Sequence, residues 1–147
     1  MRYLGIALTV CMMILSVSAV RAAAALPQGS WVLRVEQGGA WADIPDAVMD
    51  LAGQPFVSVR GLAQGIGASL SWIEVTKEAV FTSERTVAML RAGDRQAYVN
   101  GSAVTLSASP DAESGRLAIA APDIRALGLA VEIDEQTRVI KVSRPRS

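Results

Sequence analysis

Val57-Ser58-Val59-Arg60-Gly61-Leu62-Ala63-Gln64-Gly65-Ile66-Gly67, running on into Ala68-Ser69-Leu70-Ser71-Trp72, is the stretch that decides the fold. Val59, Leu62, Ala63 and Ile66 fall at i, i+3, i+4 and i+7, one face of a short helix. Ser58 stands where an N-cap hydroxyl belongs. Gly67 stands where a helix ends on a left-handed residue. Gly61 and Gly65 each cost up to ~1 kcal/mol against alanine, so packing rather than propensity must hold this helix. Beyond the cap the period changes to two. Leu70 and Trp72 alternate with Ser69 and Ser71, which predicts a strand with a buried face and a wet one, Trp72 on the buried side. Glu74-Val75-Thr76-Lys77 then reads as a polar turn and Ala79 to Thr82 as the return strand.

The same order recurs about sixty residues later. Pro45-Asp46-Ala47 returns as Pro110-Asp111-Ala112, Gly53 as Gly115, Ile66-Gly67 as Leu127-Gly128 and Val80 as Ile140. Gly53 to Gly67 spans 14 positions and Gly115 to Gly128 spans 13, so the register nearly holds. Such self-similarity means one supersecondary unit used twice. In the second unit Pro122 suits a first helical turn and Asp123 favours the positive end of the helix dipole. Ile124 and Leu127 supply the apolar face. Val131 and Ile133 alternate with Glu132 and Asp134, Asp134 to Thr137 reads as a turn, and Val139 to Val142 returns. Between the units, Thr86 to Arg91 and Arg95 to Val99 flank Ala92-Gly93-Asp94. Asn100-Gly101 between apolar runs predicts a type I′ hairpin. Trp31 to Glu36 is expected to be the first strand. The sum is an α+β fold with mainly antiparallel strands: two degenerate units of strand, short helix and β-hairpin, about 31–83 and 84–143, sharing one core.

The amino terminus belongs to a different class. Met1-Arg2-Tyr3 carries one positive charge, Leu4 to Val20 is almost wholly apolar, and Ala22-Ala23-Ala24 offers small residues for cleavage. This predicts a secretory signal peptide over residues 1–24, leaving 25–147 as one domain in a secreted, periplasmic or cell-envelope setting. The competing reading is a membrane anchor, which needs roughly 20 apolar residues with charged flanks. Cleavage removes Cys11, and the chain has no histidine. Removing Arg2 and Arg21 from 14 basic residues, against 14 acidic ones, leaves a formal charge of −2. No basic surplus points to nucleic acid, and no stable membrane insertion is expected after cleavage.

The ordered motifs resemble the copper amine oxidase-like N-terminal domain, also called the stalk domain, found on many exported bacterial proteins. Its units read as a Val-Asn-Gly hairpin, a Val-Pro-Leu-Arg-like segment leading into a short helix that ends in Leu-Gly, and a closing hairpin. Val99-Asn100-Gly101 with Val104 matches the first. Val57-Ser58-Val59-Arg60 with Ala63 and Ile66-Gly67 matches the second, Ser58 replacing proline. Ala68 to Trp72 and Ala79 to Thr82 match the closing hairpin. Val35-Glu36-Gln37-Gly38-Gly39 stands in place of the first unit's Val-Asn-Gly, and Ala120-Ala121-Pro122 stands where the second unit would carry arginine. The resemblance implies a non-catalytic appendage over about Trp31 to Ser143.

The residue inventory agrees with a non-catalytic module. Copper sites draw on imidazole, thiolate or thioether. The mature chain offers only Met49 and Met89, expected as core gap-fillers. Tyr98, its one tyrosine, sits beside the Asn-Gly turn and reads as structural. Serine nucleophiles usually need a base, most often histidine. Lys77 and Lys141, each in or beside a predicted strand, read as solvated positions. Two carboxylate sets remain: Asp43 with Asp46 and Asp50, and Glu132 with Asp134 and Glu135. Either could serve glycoside chemistry or calcium, and both are expected to mark solvated turns. Of the tryptophans, Trp31 opens the first strand, Trp72 is expected in the core, and Trp41, in a glycine- and alanine-rich turn region, is the candidate contact residue, because an indole can stack on a sugar or anchor a partner. The expected function is a spacer, adhesion or binding module for an envelope protein or cell-wall polymer, with no cofactor and no metal. The alternative is a small secreted enzyme using carboxylates on glycans.

Overall fold

The computed structural model describes residues 30–112 and 116–145. The predicted signal peptide and Gly115 of the repeat lie outside the described residues. Contacts divide the chain into Met1–Ser30 and Trp31–Ser147, and all the regular structure below lies in the second. No described helix is long and apolar enough to cross a membrane.

Four strands precede the helix: β1 (Val32–Gln37), β2 (Ala40–Ile44), β3 (Val48–Leu51) and β4 (Gln54–Ser58). Two-residue loops join β1 to β2 at Gly38-Gly39 and β3 to β4 at Ala52-Gly53, with positive φ at all four positions. That is the type I′ signature, whose twist matches the strands it joins. Trp41 is therefore a strand residue, not the turn residue expected. Asp43 and Asp50 likewise lie on strands, and only Asp46 of that set sits in a turn. The alternation in β2 is real but muted, because the inward positions are filled by Ala42 as well as Ile44.

Helix α1 spans Val59–Ile66. The Ser58 hydroxyl accepts from the Gly61 amide at 3.2 Å, and Gly67 caps the other end at φ 75°. Val59, Leu62, Ala63 and Ile66 are buried as their spacing requires. A hairpin follows, β5 (Ser69–Ile73) with β6 (Glu78–Thr82), then β7 (Val87–Arg91), β8 (Gln96–Val99) and β9 (Ser102–Thr105). Asn100 and Gly101 have φ of 51° and 83°, the expected I′ turn. After β10 (Ala118–Ala120) the chain forms a 3-10 helix over Ala121–Leu127. No side-chain cap closes its start, and the Gly128 amide reaches back three residues to Arg125. Asp123, expected to face the helix dipole, is instead buried and accepts from the Ser107 amide at 2.8 Å and the Ala108 amide at 3.4 Å, so it ties down the loop after β9. β11 (Ala130–Asp134) and β12 (Val139–Ser143) close the fold. Their turn runs from Glu135 to Arg138, one residue later than expected, because Asp134 still pairs with Val139.

The strands form three sheets ordered β11-β12-β1-β2, β10-β4-β3 and β5-β6-β7-β8-β9. The described strand pairings are antiparallel except that β1 runs parallel to β12. One buried cluster draws on both halves of the chain: Leu33, Leu62, Ile66 and Phe81 pack in it with Leu106, Ile124, Leu127 and Ile140. Burying one such aliphatic side chain contributes ~1.5–3 kcal/mol, so the halves stabilise each other. Met49 packs against a smaller cluster of Phe56, Ala118 and Ala120, as a gap-filler would. Met89 does not. It lies exposed on the outer face of the five-stranded sheet, in register between Val80 and Tyr98, and Tyr98 is exposed too. The inward places on β7 went to Ala88 and Leu90.

Candidate functional site

Trp41 sits on the outer face of the four-stranded sheet. Inward positions of β1 and β12 are taken by Leu33, Val35, Ile140 and Val142, which leaves the alternate residues to solvent. Register sets Glu132, Lys141, Arg34 and Asp43 in one row across β11, β12, β1 and β2, with Glu36 opposite Trp41 in the next row. Trp41 is 50% exposed, and the Lys141 ammonium lies 5.7 Å from its ring centroid, within cation–π range. Arg34 Nε donates to Asp43 Oδ1 at 2.7 Å. That bond holds the Asp43 carboxyl below its ordinary range and raises the Arg34 guanidinium. Arg34, Trp41, Asp43 and Lys141 line a shallow groove. Its chemistry is an aromatic face beside a cation, able to take a flat ring or an apolar anchor.

A second concavity was not legible in the sequence. Trp72 is on the inward side of β5, opposite Ala79, as its alternation requires. Yet it is 39% exposed, because β5 is the edge of its sheet and no described strand pairs with its far side. The ring instead walls a groove of about 350 Å3. The apolar lining is Leu70, Ala79, Ala92, Ala112 and Leu117, and the polar lining is Arg60, Glu74, Lys77 and Arg116. Trp72 Nε1 donates to Glu74 Oε2 at 2.7 Å, and Lys77 pairs with the other oxygen of that carboxylate. Lys77 followed by Trp72 pulls the Glu74 carboxyl below its ordinary value. The clue in the sequence was the Trp-x-Glu-x-x-Lys spacing around the turn.

Of the carboxylates read from the sequence, Asp43 and Asp134 are put to structural use. Asp43 is bound to Arg34 and Asp50 is exposed on β3. Asp134 accepts from the Gln136 amide at 3.0 Å and the Thr137 amide at 3.2 Å, and the Thr137 bonds foremost lower its pKa. Glu132 and Asp134 do line a common groove. A glycosidase needs one of its two carboxyls raised to act as acid. Asp43 and Asp134 are both shifted the other way. No three of His, Cys, Asp and Glu converge among the described residues.

Comparison with known families matches residues 43–142 to the copper amine oxidase N-terminal domain. The chain belongs to that family. The copper amine oxidase N-terminal domain is a non-catalytic, stalk-type domain. Among the described residues the metal in the family's name finds no fitting set of donors. The sequence has no histidine, and its described thioethers are dispersed, Met49 on β3 and Met89 on β7. Neither the curated proteins nor the solved structures compared with the chain include a match.

Proposed function

We propose that this copper amine oxidase N-terminal domain is an exported, non-catalytic module of the bacterial cell envelope, which contacts an envelope protein or a wall polymer through its Trp41 face. The observation that carries this reading is the half-exposed indole of Trp41 beside Lys141, on a sheet face that no other described element covers. Half of a tryptophan left in water is apolar surface a small domain has reason to cover, and indoles are enriched where proteins bind. The charged start, apolar run and alanine cluster of residues 1–24 support export. The recurring Gly-capped helix and hairpin support two degenerate units on one core, a rigid body suited to spacing as well as contact.

The test is a pull-down of the exported protein against envelope fractions, peptidoglycan included, comparing the native chain with Trp41→Ala. Retention by one fraction, lost in the variant while its unfolding midpoint is unchanged, is the expected result. Equal retention of both proteins would remove Trp41 from the contact. No retention by any fraction would leave the chain a spacer only.

A further inference from the structure

The groove beside Trp72 shares no lining residue with the Trp41 face. Three properties define what it can hold. Its volume of about 350 Å3 is at the lower end for small-molecule sites and suits one or two rings. Its aromatic wall has its one donor occupied, because the indole N–H is already engaged by Glu74 at 2.7 Å. That leaves the apolar ring for a ligand to meet. Among the described lining residues its charge is unbalanced. Glu74 and Lys77 neutralise each other, whereas no described carboxylate pairs with Arg60 or Arg116. Arg60 extends from the first turn of α1, and Arg116 reaches only the carbonyl of Asp46, at 3.4 Å. Two arginines with open forks beside an apolar wall suit a carboxylate attached to a ring.

We propose that this groove is a binding site for an acidic saccharide, a pyranose carrying a carboxylate, with a C–H face of the ring against Trp72 and the carboxylate held by Arg60 and Arg116. Small residues line the site, Ala79 opposite Trp72 among them. Neutral sugars would gain the stacking but not the ion pair. Simple carboxylates would gain the ion pair but not the stacking.

The experiment is a titration of the 15N-labelled protein with D-glucuronate, D-glucose and acetate, following the indole N–H signals of the three tryptophans, with the Trp72 signal assigned by its loss in Trp72→Phe. Glucuronate is expected to shift the Trp72 signal saturably, at a half-saturation at least about tenfold below that of glucose or acetate, the scale of one charge-assisted hydrogen bond. Arg60→Gln and Arg116→Gln should each raise the glucuronate half-saturation by about the same factor. Their unfolding midpoints should hold, since both side chains are exposed. Trp41→Ala should leave the titration unchanged, which separates this site from the envelope contact. Equal response to glucose and glucuronate, a saturable shift at Trp41 instead of Trp72, or an unaltered titration in both arginine variants would overturn the proposal.

Discussion

Gly65→Ala in α1 sets two effects of known size against each other. Alanine is favoured over glycine in a helix interior by up to ~1 kcal/mol, so on propensity alone the variant is more stable. Packing opposes it. A Cβ on residue 65 would stand 3.0 Å from Val35 Cγ2 and 3.3 Å from Ile44 Cδ1 and Cγ1. Carbons pack best at about 3.5–4.0 Å. Ile44 is half-buried at the end of β2 and can turn its δ-methyl aside. Val35 cannot, because it is fully buried on β1 between β12 and β2. Overpacking of this kind costs roughly 1–3 kcal/mol, so Gly65→Ala should destabilise by up to ~2 kcal/mol net. The sharper expectation is a reversal of sign. Val35→Ala removes the offending methyl, and in that background Gly65→Ala should stabilise by about 1 kcal/mol. Urea unfolding followed by tryptophan fluorescence, extrapolated linearly to water, measures all four proteins. Stabilisation by Gly65→Ala in the native background, or the same sign in both, would refute the argument that this glycine exists to let the helix approach the β1–β2 hairpin.

Three further outcomes are expected. Leu127→Ala should cost roughly 2–5 kcal/mol, the range for a buried leucine, and should lower the midpoint reported by Trp31, Trp41 and Trp72 although all three lie in the other half of the chain; an unchanged fluorescence midpoint would mean two independent cores. Ala52 holds φ 53° in the β3–β4 turn, a conformation that disfavours L-residues by roughly 1–2 kcal/mol but that asparagine tolerates, so Ala52→Asn should raise the melting temperature, and a lowered one would contradict the turn assignment. Asp134 titrates below its ordinary 3.8 when folded, so the folded state binds fewer protons than the unfolded one as pH drops through that range, and its contribution, present above 3.8, fades on acidification. Asp134→Asn should therefore flatten the fall of the urea midpoint between neutral and acid pH, and an equally steep fall would assign the loss to other carboxylates.

Local chemistry wrote much of this fold into the sequence. The helix at Val59–Ile66, its Ser58 and Gly67 caps, the Asn100-Gly101 turn and the two closing hairpins are set by periodicity and by the backbone angles those residues allow, all short-range matters. The lack of histidine is likewise a matter of inventory. The family could be read for the same reason, from short motifs in order. Other features depend on which strand lies beside which. Strand β2 hid because alanine serves as its inward residue, and only its neighbours reveal that Ala42 is half-buried. Met89 and Leu90 are comparable in the sequence, yet register turns one outward and the other into the core. Asp123 found two backbone amides sixteen and fifteen residues away. Trp72 alternates as a core residue should, and the sequence by itself placed it on the inward side of its strand. Only the tertiary structure decided that β5 is an edge, and an inward side chain at an uncovered edge borders a groove instead of a core.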